Sequence, residues 1–197
     1  PATMTLTSGS TGLPKAVVHN VQAHLDNAQG VCDLMQFGAT DSWLLSLPLY
    51  HVSGQGIVWR WLTTGATLVL SGDDFYAAVN QVTHVSLVPT QVQRWLSYLQ
   101  ENPSTRQTRA VLLGGAHIPL ALTQSLHRLG VKSYSGYGMT EMASTVFAKQ
   151  SDEKNGVGQP LAGREYCLHN EEIWLRGAGL ALGYWQQDRI ISLLNEQ

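Results

Sequence analysis

The chain has 197 residues, 44% of them hydrophobic, and a formal net charge of −2 from 12 Lys and Arg against 14 Asp and Glu. That length suffices for one domain with a real core, and the slightly acidic balance leaves no basic footprint for nucleic acid or an anionic membrane surface. Only 13% of residues are charged and six are Trp, against roughly 25% charged in an average soluble domain, so some faces are expected to lie against other parts of a larger protein.

In chain order, residues 4–6 are a short strand-like run that opens into Thr7-Ser8-Gly9-Ser10-Thr11-Gly12-Leu13-Pro14-Lys15. The first six of these carry a hydroxyl or are glycine. Glycine lets backbone N–H groups approach an anion, hydroxyls add donors, and the lysine closes the run with a cation. Placed at a strand end, where α/β sheets bind ligands, the run reads as a phosphate-binding loop. The plain alternative is a surface turn with a solvated Lys15. It is not a P-loop, because Gly9 and Gly12 are too close together and Ala16 follows the lysine.

Residues 16–19 read as a strand and Asn20 as an N-cap. Val21, Leu25, Ala28, Val31, Cys32 and Met35 recur at three- and four-residue steps, which predicts a helix over 21–35. Strands over 43–47, 66–70, 84–88, 110–113 and 131–135 then alternate with helices over 53–62, 75–82, 90–101 and 119–129, the last with Pro119 near its first turn. Such alternation predicts an α/β fold: a mostly parallel, doubly wound sheet flanked by helices. Right-handed crossovers bring every strand's C-terminal end to one side, so the turns at 48–53, 89–90, 114–116 and 136–138 should share a rim. Beyond residue 149 the chain turns polar. Strands over 166–169 and 172–176 around Asn170-Glu171 predict a small antiparallel β unit. The expected organisation is an α/β nucleotide- and acyl-binding subdomain over 1–149 and a small, incomplete β-rich subdomain over 150–197.

No apolar run reaches the roughly 18 residues of a membrane span, and no leader segment is visible. Cys32 and Cys167 lack metal-ligand spacing and read as reduced, buried thiols of a cytoplasmic protein. His19 and His24 are five apart, the wrong spacing to stack on a helix for zinc. Arg60 stands out in Ile57-Val58-Trp59-Arg60-Trp61-Leu62, with nothing acidic three or four residues away. A cation in that run must snorkel, pair with a distant acid, or meet an anionic substrate group.

The second chemistry-bearing run is Gly136-Tyr137-Gly138-Met139-Thr140-Glu141. Glu141 suits a hard cation, and Thr140 with Glu141 equally suits a helix start. Together with residues 7–15 it resembles the signature loops of the adenylate-forming superfamily of acyl-CoA synthetases, luciferases and peptide-synthetase adenylation domains. The resemblance implies that the first loop (Thr7, Ser8, Gly9, Ser10, Thr11, Gly12, Lys15) wraps the ATP β- and γ-phosphates. It implies that Gly136, Tyr137, Gly138 and Met139 flank adenine, that Thr140 meets the α-phosphate, and that Glu141 ligates Mg²⁺. Gly114, Gly115 and Ala116 would form the other wall of the adenine slot, or a plain strand-end turn. His51 matches the family's aromatic-or-histidine position beside the acyl pocket, where it orients the carboxylate and gates the thiol.

The resemblance runs from Met4 to Tyr184 and is strongest with the 2-succinylbenzoate–CoA ligase subfamily. It is carried by residues 44–57, 59–62, 86–91 and 160–165, and puts Ser53, Ser86 and Gly115 beside the acid, with Arg60 reading a second carboxylate. It implies ATP, Mg²⁺ and coenzyme A as reactants, a small carboxylic acid as partner, and no nucleic acid or membrane span. It leaves open a homo-oligomer, another acid, or a non-catalytic nucleotide-binding module. The family's N-terminal region, ribose-binding aspartate and C-terminal lid domain with its catalytic lysine are expected outside this stretch, so the chain alone should not complete the reaction.

Overall fold

A computed structural model describes residues 1–7 and 13–194. The first two strands are β1 (Thr3–Thr7) and β2 (Lys15–His19), followed by α1 (Val21–Met35). Asn20 caps α1 as expected, its side-chain oxygen accepting the Ala23 N–H at 2.8 Å. Four further strand–helix pairs and a closing strand follow: β3 (Ser42–Leu44), α2 (Val52–Thr64), β4 (Thr67–Val69), α3 (Phe75–Gln81), β5 (His84–Leu87), α4 (Pro89–Glu101), β6 (Ala110–Leu113), α5 (Leu120–Arg128) and β7 (Lys132–Met139). A single 3-10 turn at Thr140–Met142 leads to β8 (Ser144–Gln150) and β9 (Gln159–Pro160). The chain closes with β10 (Arg164–His169), β11 (Glu172–Gly177), β12 (Gly183–Gln186) and β13 (Arg189–Ile191).

A seven-stranded sheet in the order β4-β3-β5-β6-β7-β8-β9 carries the molecule. It is parallel from β4 through β7 and antiparallel at β8 and β9. Successive strand residues face opposite ways, and the core divides accordingly. Trp43 and Leu112 join Val31, Met35 and Ile57 from α1 and α2 on one face. Leu44 and Leu113 join Val79, Val92, Trp95 and Leu126 from α3, α4 and α5 on the other. Helices thus cover both faces, as the alternation predicts.

Several expectations are corrected. The strands around the first glycine run do not belong to this sheet. β1 pairs antiparallel with β2 in a separate four-stranded sheet of order β1-β2-β12-β13. A connection this short can join only antiparallel neighbours, since a parallel crossover needs a dozen residues or more. The strand expected over 43–47 leaves the ladder after Leu44, where Ser46 Oγ donates across to the Ser86 carbonyl. The second motif is not a turn after a strand, because β7 runs through it to Met139 with an irregularity between Tyr137 and Gly138. A Cβ at Gly138 would collide with the Ser144 carbonyl oxygen, so glycine lets the β7–β8 strands cross this closely.

The expected boundary at 149/150 falls inside β8, and the seven-stranded sheet continues to Pro160. β10 and β11 do form a separate antiparallel ribbon around Asn170 and Glu171, both at positive φ, as a two-residue hairpin demands. Cys32 is buried, but Cys167 is exposed on this ribbon, which is too thin to bury both faces. His19 and His24 do meet, one from β2 and one from α1, with ring centroids 5.1 Å apart. No group of three or more His, Cys, Asp or Glu side chains among the described residues could hold a metal.

Candidate functional site

A cavity of about 310 Å³ opens at the C-terminal ends of β5, β6 and β7. His51, Ser53 and Arg60 line it from α2 and its N-cap, and Ser86 from β5. Gly114 and Gly115 line it after β6, and Gly136, Gly138, Met139 and Thr140 along and after β7. A second cavity of about 470 Å³ is lined by Ala116 and Tyr137 and also by Lys149 and Asp152. Gly136 borders both cavities. The structure therefore brings His51, Ser53, Arg60, Ser86, Gly114, Gly115, Ala116, Gly136, Tyr137, Gly138, Met139 and Thr140 to two adjoining spaces, whereas Glu141, Thr7 and Lys15 line neither. Ser8, Gly9, Ser10, Thr11 and Gly12 lie outside the described residues, while Thr7 and Lys15 face each other across β1 and β2.

Arg60 forms the floor of the first cavity and is 1% exposed. It makes no ion pair among the described residues, so a structural salt bridge to a distant acid is not what holds it. Its guanidinium carbon stacks 4.6 Å from the Trp43 ring centroid. Nη1 reaches Ser86 Oγ at 3.5 Å, and Nε has no partner among the described residues. Trp43 Nε1 donates to the same Ser86 Oγ at 3.2 Å. Burial pulls the Arg60 pKa down to about 10, so the group still carries its charge at neutral pH. A buried, charged and incompletely bonded guanidinium favours an anion in the cavity above it.

His51 is exposed at the mouth of this cavity, its ring 4.9 Å from Tyr50 and free of any capping bond. Glu141, in the 3-10 turn, accepts a hydrogen bond from the Tyr184 hydroxyl at 2.8 Å on Oε1. Burial first, and that bond second, push the Tyr184 pKa up to about 12, so the hydroxyl stays a donor. The Lys15 ammonium lies 4.9 Å from the centroid of the same ring. One aromatic side chain thus touches both the lysine of the first motif and the glutamate of the second.

The chain matches the family described as AMP-binding enzyme over residues 1–185. It belongs to that family. Among curated relatives of this AMP-binding enzyme, the 2-succinylbenzoate–CoA ligase of Haemophilus influenzae is 73% identical over 198 residues, covering 100% of this chain and 44% of that protein. Among solved structures, an arginine-to-lysine variant of Escherichia coli MenE with bound OSB-AMS superposes with a TM-score of 0.90 at 52% identity, covering 98% of this chain and 43% of that one. Bacillus subtilis o-succinylbenzoate coenzyme A synthetase in complex with ATP and a magnesium ion superposes at 0.80 with 29% identity, over 94% of this chain and 43% of that one. The chain therefore spans less than half the length of the relatives it matches.

For an AMP-binding enzyme the donor set is informative about metal. Glu141 has one oxygen engaged by the Tyr184 hydroxyl, and among the described residues it belongs to no group of three or more His, Cys, Asp or Glu side chains that could hold a metal. That suits Mg²⁺, which keeps waters and substrate phosphates around one or two protein carboxylates. It does not suit a cation held by protein alone. Two contributors escaped the sequence reading: Trp43, which stacks on Arg60, and Tyr184. Trp43 reads as one more apolar residue of a buried strand. Tyr184 follows Gly183 near the family's boundary, and nothing nearby in sequence points to Glu141.

Proposed function

We propose that this chain forms the nucleotide- and acid-binding part of an ATP-dependent acid–CoA ligase that converts 2-succinylbenzoate to 2-succinylbenzoyl-CoA, a step of menaquinone biosynthesis in the cytoplasm. The observation that carries the reading is Arg60: a buried, charged guanidinium without a carboxylate partner among the described residues, at the floor of the cavity that Thr140 and the Gly114-Gly115 turn also line. 2-Succinylbenzoate carries an aromatic carboxylate in addition to the succinyl carboxylate to be activated, and Arg60 would bind the former.

In this reading the succinyl carboxylate attacks the ATP α-phosphorus and pyrophosphate leaves. Coenzyme A then attacks the acyl-adenylate and AMP leaves. The protein positions these groups and stabilises the charge that develops. Arg60 and Ser86 anchor the acid, which aims its other end at Thr140, and the Thr140 hydroxyl donates to the α-phosphate. Lys15 offsets charge gathering on the leaving pyrophosphate. His51, at the mouth, orients the reacting carboxylate and borders the path of the thiol. Tyr137 and Ala116 supply the flat walls for adenine in the adjoining cavity. Magnesium bound by Glu141 and the nucleotide phosphates would neutralise further phosphate charge.

Losing a hydrogen bond to a charged group costs about 1.5–3 kcal/mol. Arg60→Ala should therefore weaken 2-succinylbenzoate binding by roughly ten- to a hundredfold. Binding of 4-oxo-4-phenylbutanoate, which lacks the aromatic carboxylate, should change little. Calorimetric titration of both acids checks this, and equal losses for the two would reject the substrate assignment.

A further inference from the structure

Tyr184 occupies a place that its backbone alone would not need. Its strand is clamped on two sides. The Ala181 N–H donates to the Glu141 carbonyl and the Leu182 N–H to the Val18 carbonyl, both at 2.8 Å. Tyr184 then pairs with Val17 in the β12–β2 ladder. These bonds fix the Cα of Tyr184 between the strand that begins with Lys15 and the turn that carries Glu141. The side chain is half-buried and belongs to none of the hydrophobic clusters. It instead uses its hydroxyl on Glu141 Oε1 at 2.8 Å and its ring face on Lys15 Nζ at 4.9 Å.

We propose that Tyr184 is a positioning residue of the phosphate and metal site: its hydroxyl turns Glu141 so that Oε2 faces a divalent cation, and its ring holds the Lys15 ammonium at the same opening. The inference rests on the reading of Glu141 as the metal ligand. A carboxylate tethered through one oxygen loses less freedom when the other binds a cation. Partners of that kind are typically worth ten- to a hundredfold in metal affinity. A cation over an aromatic face is likewise held in direction without being neutralised, which leaves Lys15 its charge for phosphate.

The two contacts separate by substitution. Tyr184→Phe removes the hydroxyl and keeps the ring, whereas Tyr184→Leu removes both. Mn²⁺ binding in the presence of ATP, followed by electron paramagnetic resonance, reads the first contact. ATP binding in EDTA, followed by calorimetry, reads the second. In the 197-residue chain, Tyr184→Phe should weaken Mn²⁺ by roughly tenfold or more while ATP binding in EDTA stays within twofold. Tyr184→Leu should weaken both, and Phe at this position thus restores the metal-free affinity that Leu loses. Glu141→Gln serves as the reference. If it lowers Mn²⁺ affinity and Tyr184→Phe does not, the positioning role is overturned and the metal ligand stands. If Tyr184→Phe lowers both affinities equally together with Tm, Tyr184 is only structural and the proposal fails. If Glu141→Gln changes nothing, or the unsubstituted chain takes up no Mn²⁺ with ATP, the proposal and the site reading fall together.

Discussion

At the scale of single residues, the arginine under the cavity depends on a glycine one helical turn away. A Cβ at Gly56 would stand 3.0 Å from Arg60 Nη2, closer than that nitrogen can tolerate without moving. Gly56→Ala should shift the guanidinium slightly against Trp43 and cost several-fold in affinity for a doubly charged acid. It should leave Tm nearly unchanged, since alanine favours the helix. Paired titration and melting curves would test the split. The two cysteines make a second contrast. Cys32 is buried beside Arg60, with its pKa raised to about 11, first by burial, while Cys167 is exposed. A thiol-alkylating reagent at pH 8 should label Cys167 in the folded chain and reach Cys32 only in denaturant, as mass spectrometry of peptides would report. Arg60 was legible in the sequence because a lone cation in an apolar run is an anomaly that needs an explanation. Tyr184 was not, because its partner lies 43 positions away and only the folded chain brings them together.

At the scale of elements, α1 does more than fill one face of the sheet. His24 stacks on Trp59 from α2 at 5.0 Å and meets Thr3 Oγ1 from β1 at 2.7 Å. Burial, then repulsion from His19, pulls its pKa down to about 4. An unfolded His24 takes up its proton near 6.5, a folded one only near 4. Between those values the unfolded chain binds more protons, so stability is complete above pH 6.5 and falls as pH drops toward 4. The loss approaches about 3 kcal/mol. Urea unfolding at pH 7.5 and pH 5 should show it, and His24→Gln should reduce the difference, leaving the part that buried His19 and His84 contribute in the same direction. Asp26, on the same helix, binds the fully buried Arg164 side chain of β10 at 2.6 Å. Asp26→Ala strands that guanidinium, a change worth about 3 kcal/mol and a Tm drop of roughly 6–12 °C. Sequence periodicity placed α1 to the residue because one face is apolar and Asn20 caps it. It misplaced the end of β7 because glycine usually marks a turn, and here Gly138 marks a close strand crossing instead.

At the scale of the whole molecule, the alternation of short apolar runs with helical patterns was enough to predict the wound sheet, because each unit is local. The membership of β1 and β2 in a second sheet was not predictable in the same way, since their neighbour β12 comes from the far end of the chain. That long-range pairing makes β2, the Glu141 turn and β12 one mechanical unit. Magnesium–ATP should therefore slow amide hydrogen exchange in β2, β12 and the Thr140–Met142 turn together, while the β10–β11 ribbon exchanges as before. Arg60 has a consequence at this scale too. Folding must strip water from a guanidinium that no carboxylate in the described structure compensates, so in the proposed function selectivity for the acid would be carried as a standing weakness of the native state. Arg60→Met should relieve it: the variant should melt higher and accept plain aryl and alkyl acids. A lineage released from its particular acid would thus drift toward a sturdier, more promiscuous pocket, and continued need for that acid would keep this position fragile.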